Sequence, residues 1–254
     1  MPRPAKPLDL PLQTQGPLPR KRWRAGFAFA PLGEARFKRL PVLLLAALLV
    51  AVPVRTAAVE PANLEPHKQE LTRYIESGEY RATVAEVALK ATKYVAKRAA
   101  KAKPGQKLAI VFDIDETALS NMPVMQAYGF GYNPKIWTEW INERKATAIL
   151  PVQTIYENAL RHEVSVFFVT SRLESQRVAT ERNLRVVGYE VWAGTFFRPD
   201  DDQQPTKQYK TGARRQIEAA GYTIIANIGD QDSDLAGGHA EKTFKLPNPF
   251  YKVY

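Results

Sequence analysis

The stretch "LAIVFDIDETALSN", residues 108–121, decides how this chain is read. Leu108 to Phe112 are apolar and Ile114 continues the run, yet Asp113, Asp115 and Glu116 stand at its end. An apolar run without alternation predicts a central parallel strand buried on both faces. Like charges gathered at a strand end repel unless a cation or a reaction holds them there. If the strand continued, side chains would alternate and Asp113 and Asp115 would crowd onto one face. A turn beginning there instead lets Asp113 face a pocket with Asp115 over it.

Two more buried strands follow the same pattern, "EVSVFFV" at 163–169 and "YTIIANI" at 222–228. Between them lie helical patterns. Residues 69–101 read as helix broken near Gly78, with Val84, Val87, Ala88, Ala91, Tyr94 and Val95 at three- and four-residue steps. "KPGQK" at 103–107 stops that helix, and residues 61–66, bounded by prolines, read as a linker. A helix is expected at about 151–162 and another from 170 to 188, where Ser171 and Glu174 form a capping-box pair and Gly188 a C-terminal cap. A further helix covers 206–221 and closes at Gly221. Alternating strands and helices predict an α/β fold, a Rossmann-like parallel sheet flanked by helices. Residues 122–150, with Tyr128, Phe130, Tyr132, Trp137 and Trp140, are expected to form a small helical, aromatic-rich insert after the first strand.

In such sheets the active site lies beyond the carboxyl ends of the strands. The first strand ends in Asp113-Ile114-Asp115, the second in Thr170-Ser171-Arg172, the third in "GDQDSD" with Asp230, Asp232 and Asp234. Oxygen ligands of this kind suit Mg²⁺, which binds one or two carboxylates together with substrate phosphate. Asp230 and Asp234 are one helical turn apart and can share a face. With a metal in place one carboxylate can attack phosphorus, and a second can protonate the leaving oxygen and then deprotonate water. Lys210 and Thr170 suit the stabilising of charge on the transferring group.

Blander readings stand beside these. Thr170 also suits a plain strand terminus, and Lys210 sits among Lys207, Arg214 and Arg215 as on a solvated basic face. Arg172 reads as a surface pair or carboxylate clamp and stays outside the core set. Asp232 reads as a helix cap, and His67, His162 and His239 lack metal-site spacing. Trp137 and Trp140 are spaced as one helix face, the mark of core packing.

The net charge of +10 sits mostly at the front. Residues 1–58 hold ten Lys/Arg against two Asp/Glu, a net of +8, which leaves +2 for residues 59–254. The body therefore offers no case for nucleic-acid binding. Residues 1–39 are Pro- and Arg-rich, and an apolar run from Leu40 to Val54 follows. Fifteen residues suit a signal-peptide core, with cleavage after Ala58, and fall short of a bilayer span. The expected organisation is a leader at 1–58 and one domain at 59–254. The expected location is exported, periplasmic or secreted, with an uncleaved N-terminal anchor as the alternative and the only membrane contact. Cysteine is absent, which excludes disulfides, thiolate metal sites and a Cys nucleophile.

"FDIDETALSN", "FFVTSR", "YKTGARRQIEAAGY" and "NIGDQDSDLAG" resemble the four motifs of the haloacid dehalogenase (HAD) superfamily, nearest its acid phosphatase branch of plant acid phosphatases, vegetative storage proteins and bacterial class B enzymes. The likeness continues through "YGFGYN", "ERNLRVVGYEVW" and "TFKLPNPFY" and covers roughly residues 64–254. It implies Mg²⁺-dependent phosphomonoester hydrolysis through an aspartyl-phosphate. Asp113 resembles the nucleophile and a metal ligand. Asp115 resembles the general acid/base, giving its backbone carbonyl to the metal. Thr170 resembles the phosphate-binding hydroxyl and Lys210 the charge-stabilising lysine, with Asp230 and Asp234 as further metal ligands. Asp232 departs from the plant members, which usually have Trp there. Phosphate transfer to alcohols and a non-catalytic storage role are the alternatives. The aromatic insert points to nucleoside or aryl monophosphates as substrates.

Overall fold

The structure, a computed structural model, describes residues 60–253; the leader expected at 1–58 lies outside them. The Asn63 side chain accepts from the Glu65 backbone N–H and starts α1 (Leu64–Glu76), so the expected linker at 61–66 is partly helix. Gly78, at φ 82, turns the chain into α2 (Glu79–Ala99), the break expected there. Val84, Ala88, Ala91 and Val95 form the buried stripe of α2.

β1 (Lys107–Phe112) follows, then the short β2 (Leu119–Ser120), and then α3 (Met122–Ala127) and α4 (Pro134–Glu143) of the insert. β3 (Thr147–Ala148) pairs antiparallel with β2 and closes the insert before α5 (Leu150–Arg161). β4 (Ser165–Leu173), α6 (Arg177–Val186), β5 (Gly194–Arg198), α7 (Thr206–Ala219) and β6 (Tyr222–Gly229) complete the alternation. One turn of helix, α8 (Asp232–Leu235), and the short β7 (Thr243–Lys245) end the described elements.

The main sheet runs β5-β4-β1-β6-β7, every pair parallel. Phe112 pairs with Phe168 on one side and Ile228 on the other. This register brings the carboxyl ends of β1, β4 and β6 to one level. Alternation along β1 feeds two cores. Ile110 and Phe112 face α2 and α5, while Ala109 and Val111 join Ala213 and Ile217 of α7. Both faces are covered, which is why β1 reads as unbroken apolar sequence.

β4 runs four residues past Val169, where the sequence expectation ended it. Leu173 pairs with Arg198 of β5 and keeps this stretch extended. Ser171 is therefore a strand residue and caps no helix. Glu174 reaches forward to Arg177 rather than back, and the Gln176 side chain accepts from the Leu173 N–H at 3.0 Å. No helix among the described residues is long and apolar enough to cross a membrane.

Candidate active site

Asp113 is the first residue past β1, and its N–H donates to the Ile228 carbonyl at 3.0 Å, one step beyond the ladder. Its side chain enters a cleft of about 670 Å³ over the carboxyl ends of the sheet. Asp115, Arg172, Lys210, Asp230, Ser233 and Asp234 also line it. One carboxylate oxygen from each of Asp113, Asp230 and Asp234 lies within 4.8 Å of the others, all three residues buried. Lys210 Nζ donates to Asp113 Oδ1 at 2.5 Å and to Asp234 Oδ1 at 2.6 Å.

The electrostatics of this cluster are one-sided. Burial drives the Asp113 carboxyl well above its ordinary range; Lys210 opposes this, and Asp234 and Asp230 reinforce it. Burial also raises Asp230, with Asp234 next in weight. Burial works against the Lys210 ammonium, but Asp113 and Asp234 outweigh it and raise its pKa. Three carboxylates against one ammonium leave two uncompensated charges when all are ionised, in a site that desolvates them. Oxygen donors only, buried and in excess of the local positive charge, fit a hard divalent cation.

The trio is braced from outside. Asp230 accepts from Thr117 Oγ1 at 3.0 Å, and from Gln231 Nε2 and Asn248 Nδ2, each at 2.7 Å. Asp234 accepts from the Gln231 backbone N–H at 2.8 Å. A Cβ on Gly229 would lie 2.5 Å from Asp234 Cβ, so only glycine lets α8 close this tightly on β6.

Asp115 stands apart from the trio. Its carboxylate rests on Arg172, with Nε at 3.1 Å from both oxygens and Nη2 at 2.7 Å from Oδ1, and Asn121 Nδ2 adds a bond to Oδ1 at 2.8 Å. Burial would raise its pKa, but the Arg172 charge and these bonds outweigh burial and hold it below the usual range. Arg172, left outside the core set on sequence, is itself buried and is a carboxylate clamp. Nothing local distinguishes it, because its partner lies 57 positions away.

Thr170 is fully buried and is absent from the cleft lining; its hydroxyl accepts from the Arg172 N–H at 3.1 Å. The solvated basic face holds for Lys207 and Arg215, which are exposed, and fails for Lys210 and Arg214. Arg214 donates to the main-chain carbonyls of Asp234, Ala236 and Gly238 and fixes the loop after α8. Asp232 is exposed in the first turn of α8 and joins no ligand cluster.

Phe130, Tyr132 and Trp137 of the insert form one wall of the cleft, and Tyr251 to Val253 another. Trp140 does not line it and packs inward on the core instead. Sequence reasoning missed a buried network behind Asp115. Glu116, at φ 51, accepts from the Asn121 N–H at 2.6 Å, from Asn121 Nδ2 at 3.0 Å and from the Tyr251 hydroxyl at 3.1 Å. Burial, then the Asp115 charge, pushes its carboxyl up to about 8.

Comparison with known proteins agrees with this geometry. Residues 42–254 match the family model described as HAD superfamily, subfamily IIIB (acid phosphatase). The chain is 37% identical over 154 residues to the stem 28 kDa glycoprotein of Glycine max, covering 58% of this chain and 61% of that one. It is 34% identical over 148 residues to acid phosphatase 1 of Solanum lycopersicum (56% and 58% covered) and 33% identical over 147 residues to vegetative storage protein 1 of Arabidopsis thaliana (56% and 54%). The chain thus spans somewhat over half the length of these curated relatives. The class C acid phosphatase of Bacillus anthracis superposes with a TM-score of 0.59 at 26% identity, covering 73% of this chain and 86% of that one. A four-motif site at the carboxyl end of this sheet, with a family model matched over most of the sequence, places the chain in the HAD superfamily, subfamily IIIB.

Proposed function

We propose that the protein is an acid phosphatase that hydrolyses small phosphomonoesters with Mg²⁺, through an aspartyl-phosphate on Asp113. The observation that carries this reading is the convergence of Asp113, Asp230, Asp234 and Lys210 Nζ in one cleft. The carboxylates of Asp113, Asp230 and Asp234, with the Asp115 carbonyl, would hold the cation. When bound it offsets the charge of the carboxylates and of the phosphoryl oxygens.

The steps belong to the side chains. An Asp113 carboxylate oxygen bonds to phosphorus as the ester P–O bond breaks. Asp115 gives its proton to the departing oxygen, then takes one from the water that attacks phosphorus and frees Asp113. Arg172 beside Asp115 favours its carboxylate form, so a proton carried there is readily given up. Lys210 balances charge around the transferring group. Thr170 acts by shaping the β4 end that presents Arg172, in addition to the phosphate contact its motif position implies.

Export through the leader and a domain spanning 59–254 are part of the proposal; the apolar run 40–54 and the compact core drawn from later residues support them. The test is phosphate release from a panel of nucleotides, sugar phosphates and aryl phosphates. Asp113→Asn should lower turnover at least about 100-fold with an unchanged melting curve, since the amide fills the same space and cannot attack phosphorus. Excess chelator should abolish wild-type activity and Mg²⁺ restore it. A folded Asp113→Asn protein with wild-type turnover would overturn the mechanism.

A further inference from the structure

Asn121 is fully buried between β2 and α3 and every polar group of its side chain is engaged. Its Oδ1 accepts from Trp140 Nε1 at 2.8 Å, and its Nδ2 donates to Asp115 Oδ1 at 2.8 Å and Glu116 Oε2 at 3.0 Å. An indole N–H can only donate, so Trp140 fixes which end of the amide is the acceptor. The other end must then face the two carboxylates. Asp115 Oδ1 consequently receives three donors, Asn121 Nδ2 and Arg172 Nε and Nη2, whereas Oδ2 receives only Arg172 Nε at 3.1 Å.

We propose that Asn121, pinned by Trp140, is a positioning residue for Asp115: it completes the shell of Oδ1 and leaves Oδ2 as the oxygen that exchanges the proton. This rests on the phosphatase reading above and refines it. As the ester P–O bond breaks, the proton on Oδ2 passes to the leaving oxygen; the attacking water later returns one to Oδ2. The pin also joins two functions. Trp140 and Trp137 sit three residues apart on α4, on neighbouring turns of one helix, and Trp137 lines the cleft. The helix that shapes the leaving-group wall is therefore the helix that orients the acid.

The experiment compares kcat/KM, which covers the steps up to departure of the alcohol, for glycerol phosphate and p-nitrophenyl phosphate with Mg²⁺ present. Full-length wild type, Trp140→Phe and Asn121→Ala are measured. Glycerol leaves only with a proton, whereas nitrophenolate leaves without one. Both variants should lose about tenfold or more on glycerol phosphate and less than about threefold on p-nitrophenyl phosphate. Equal losses on the two esters, or none on either, would overturn the assignment. If Asn121→Ala fails to melt cooperatively, Trp140→Phe, which keeps an aromatic ring in the packing, decides alone. A wild type that hydrolyses neither ester would end the phosphatase reading and this assignment together, whereas an active wild type with equal losses ends only the assignment.

Discussion

Glu116 has no exposed surface and lies between Asp115, Asn121 and Tyr251 in a turn the backbone makes at positive φ. Its carboxyl is raised from 4.5 to about 8, chiefly by burial. The folded state therefore binds a proton more tightly than the unfolded chain. Stability from this group is complete below about 4.5 and is lost as pH rises through about 8. Asp113 and Asp230 are raised too and act in the same direction. In chelator, the protein should melt at a lower temperature at pH 8 than at pH 5, and Glu116→Gln should make that drop smaller. Identical pH slopes for the two proteins would show that Glu116 is ionised in the fold. The contrast with Asp115, one residue earlier and held low by Arg172, lies wholly in partners. Sequence could show Asp113, Asp230, Asp234 and Lys210 because strand ends and motif spacing mark them. It could not show Arg172 or Asn121 as partners of Asp115, since an arginine or asparagine beside a motif reads alike whether buried against a carboxylate or open to water.

α2 was legible from its apolar three- and four-residue steps, and the three inner strands from unbroken apolar runs that burial on both faces allows. β5 and β7 were not. β5 is only half buried and β7 has three residues, so neither shows an apolar run. The insert became α3, α4 and the β2–β3 ribbon, with Asn133 capping α4 through bonds to Lys135 and Ile136. Its aromatics divide in a way spacing alone does not reveal: Trp140 is drawn inward by Asn121, and Trp137 stays at the cleft beside Tyr132, their rings 6.0 Å apart. Phe130 stacks on Phe250 at 5.8 Å and 10°. This wall is the basis of the expected, untested preference for nucleoside or aryl monophosphates, because a base stacked on an aromatic is worth roughly 1–3 kcal/mol. Trp137→Ala and Tyr132→Ala should each lower kcat/KM on a nucleoside monophosphate about tenfold more than on glycerol phosphate. Equal losses on both would mean the rings only support the insert.

At the scale of the whole molecule the end of the described chain is tied to its beginning across the site. Phe250 packs edge-on to Tyr80 of α2 at 5.2 Å and faces Phe130 of the insert. The Tyr251 hydroxyl donates to Glu116, and the Val253 N–H donates to Gln231 Oε1 at 3.0 Å. Gln231 in turn donates to Asp230, a proposed cation ligand. The tail thus adds little to the principal core, whose buried members end at Leu246, yet it closes one wall of the cleft and steadies Asp230 at one remove. Outer contacts of this kind set ligand orientation, and their loss typically costs about 10–100-fold in metal affinity. A protein lacking residues 250–254 should melt in chelator within a few degrees of the full chain and need about tenfold more Mg²⁺ for half-maximal phosphate release. Calorimetric titration with Mg²⁺ would report the same loss without reference to turnover. An unchanged Mg²⁺ requirement would mean that Asn248 and Thr117 fix Asp230 by themselves, and that the tail serves only as a wall.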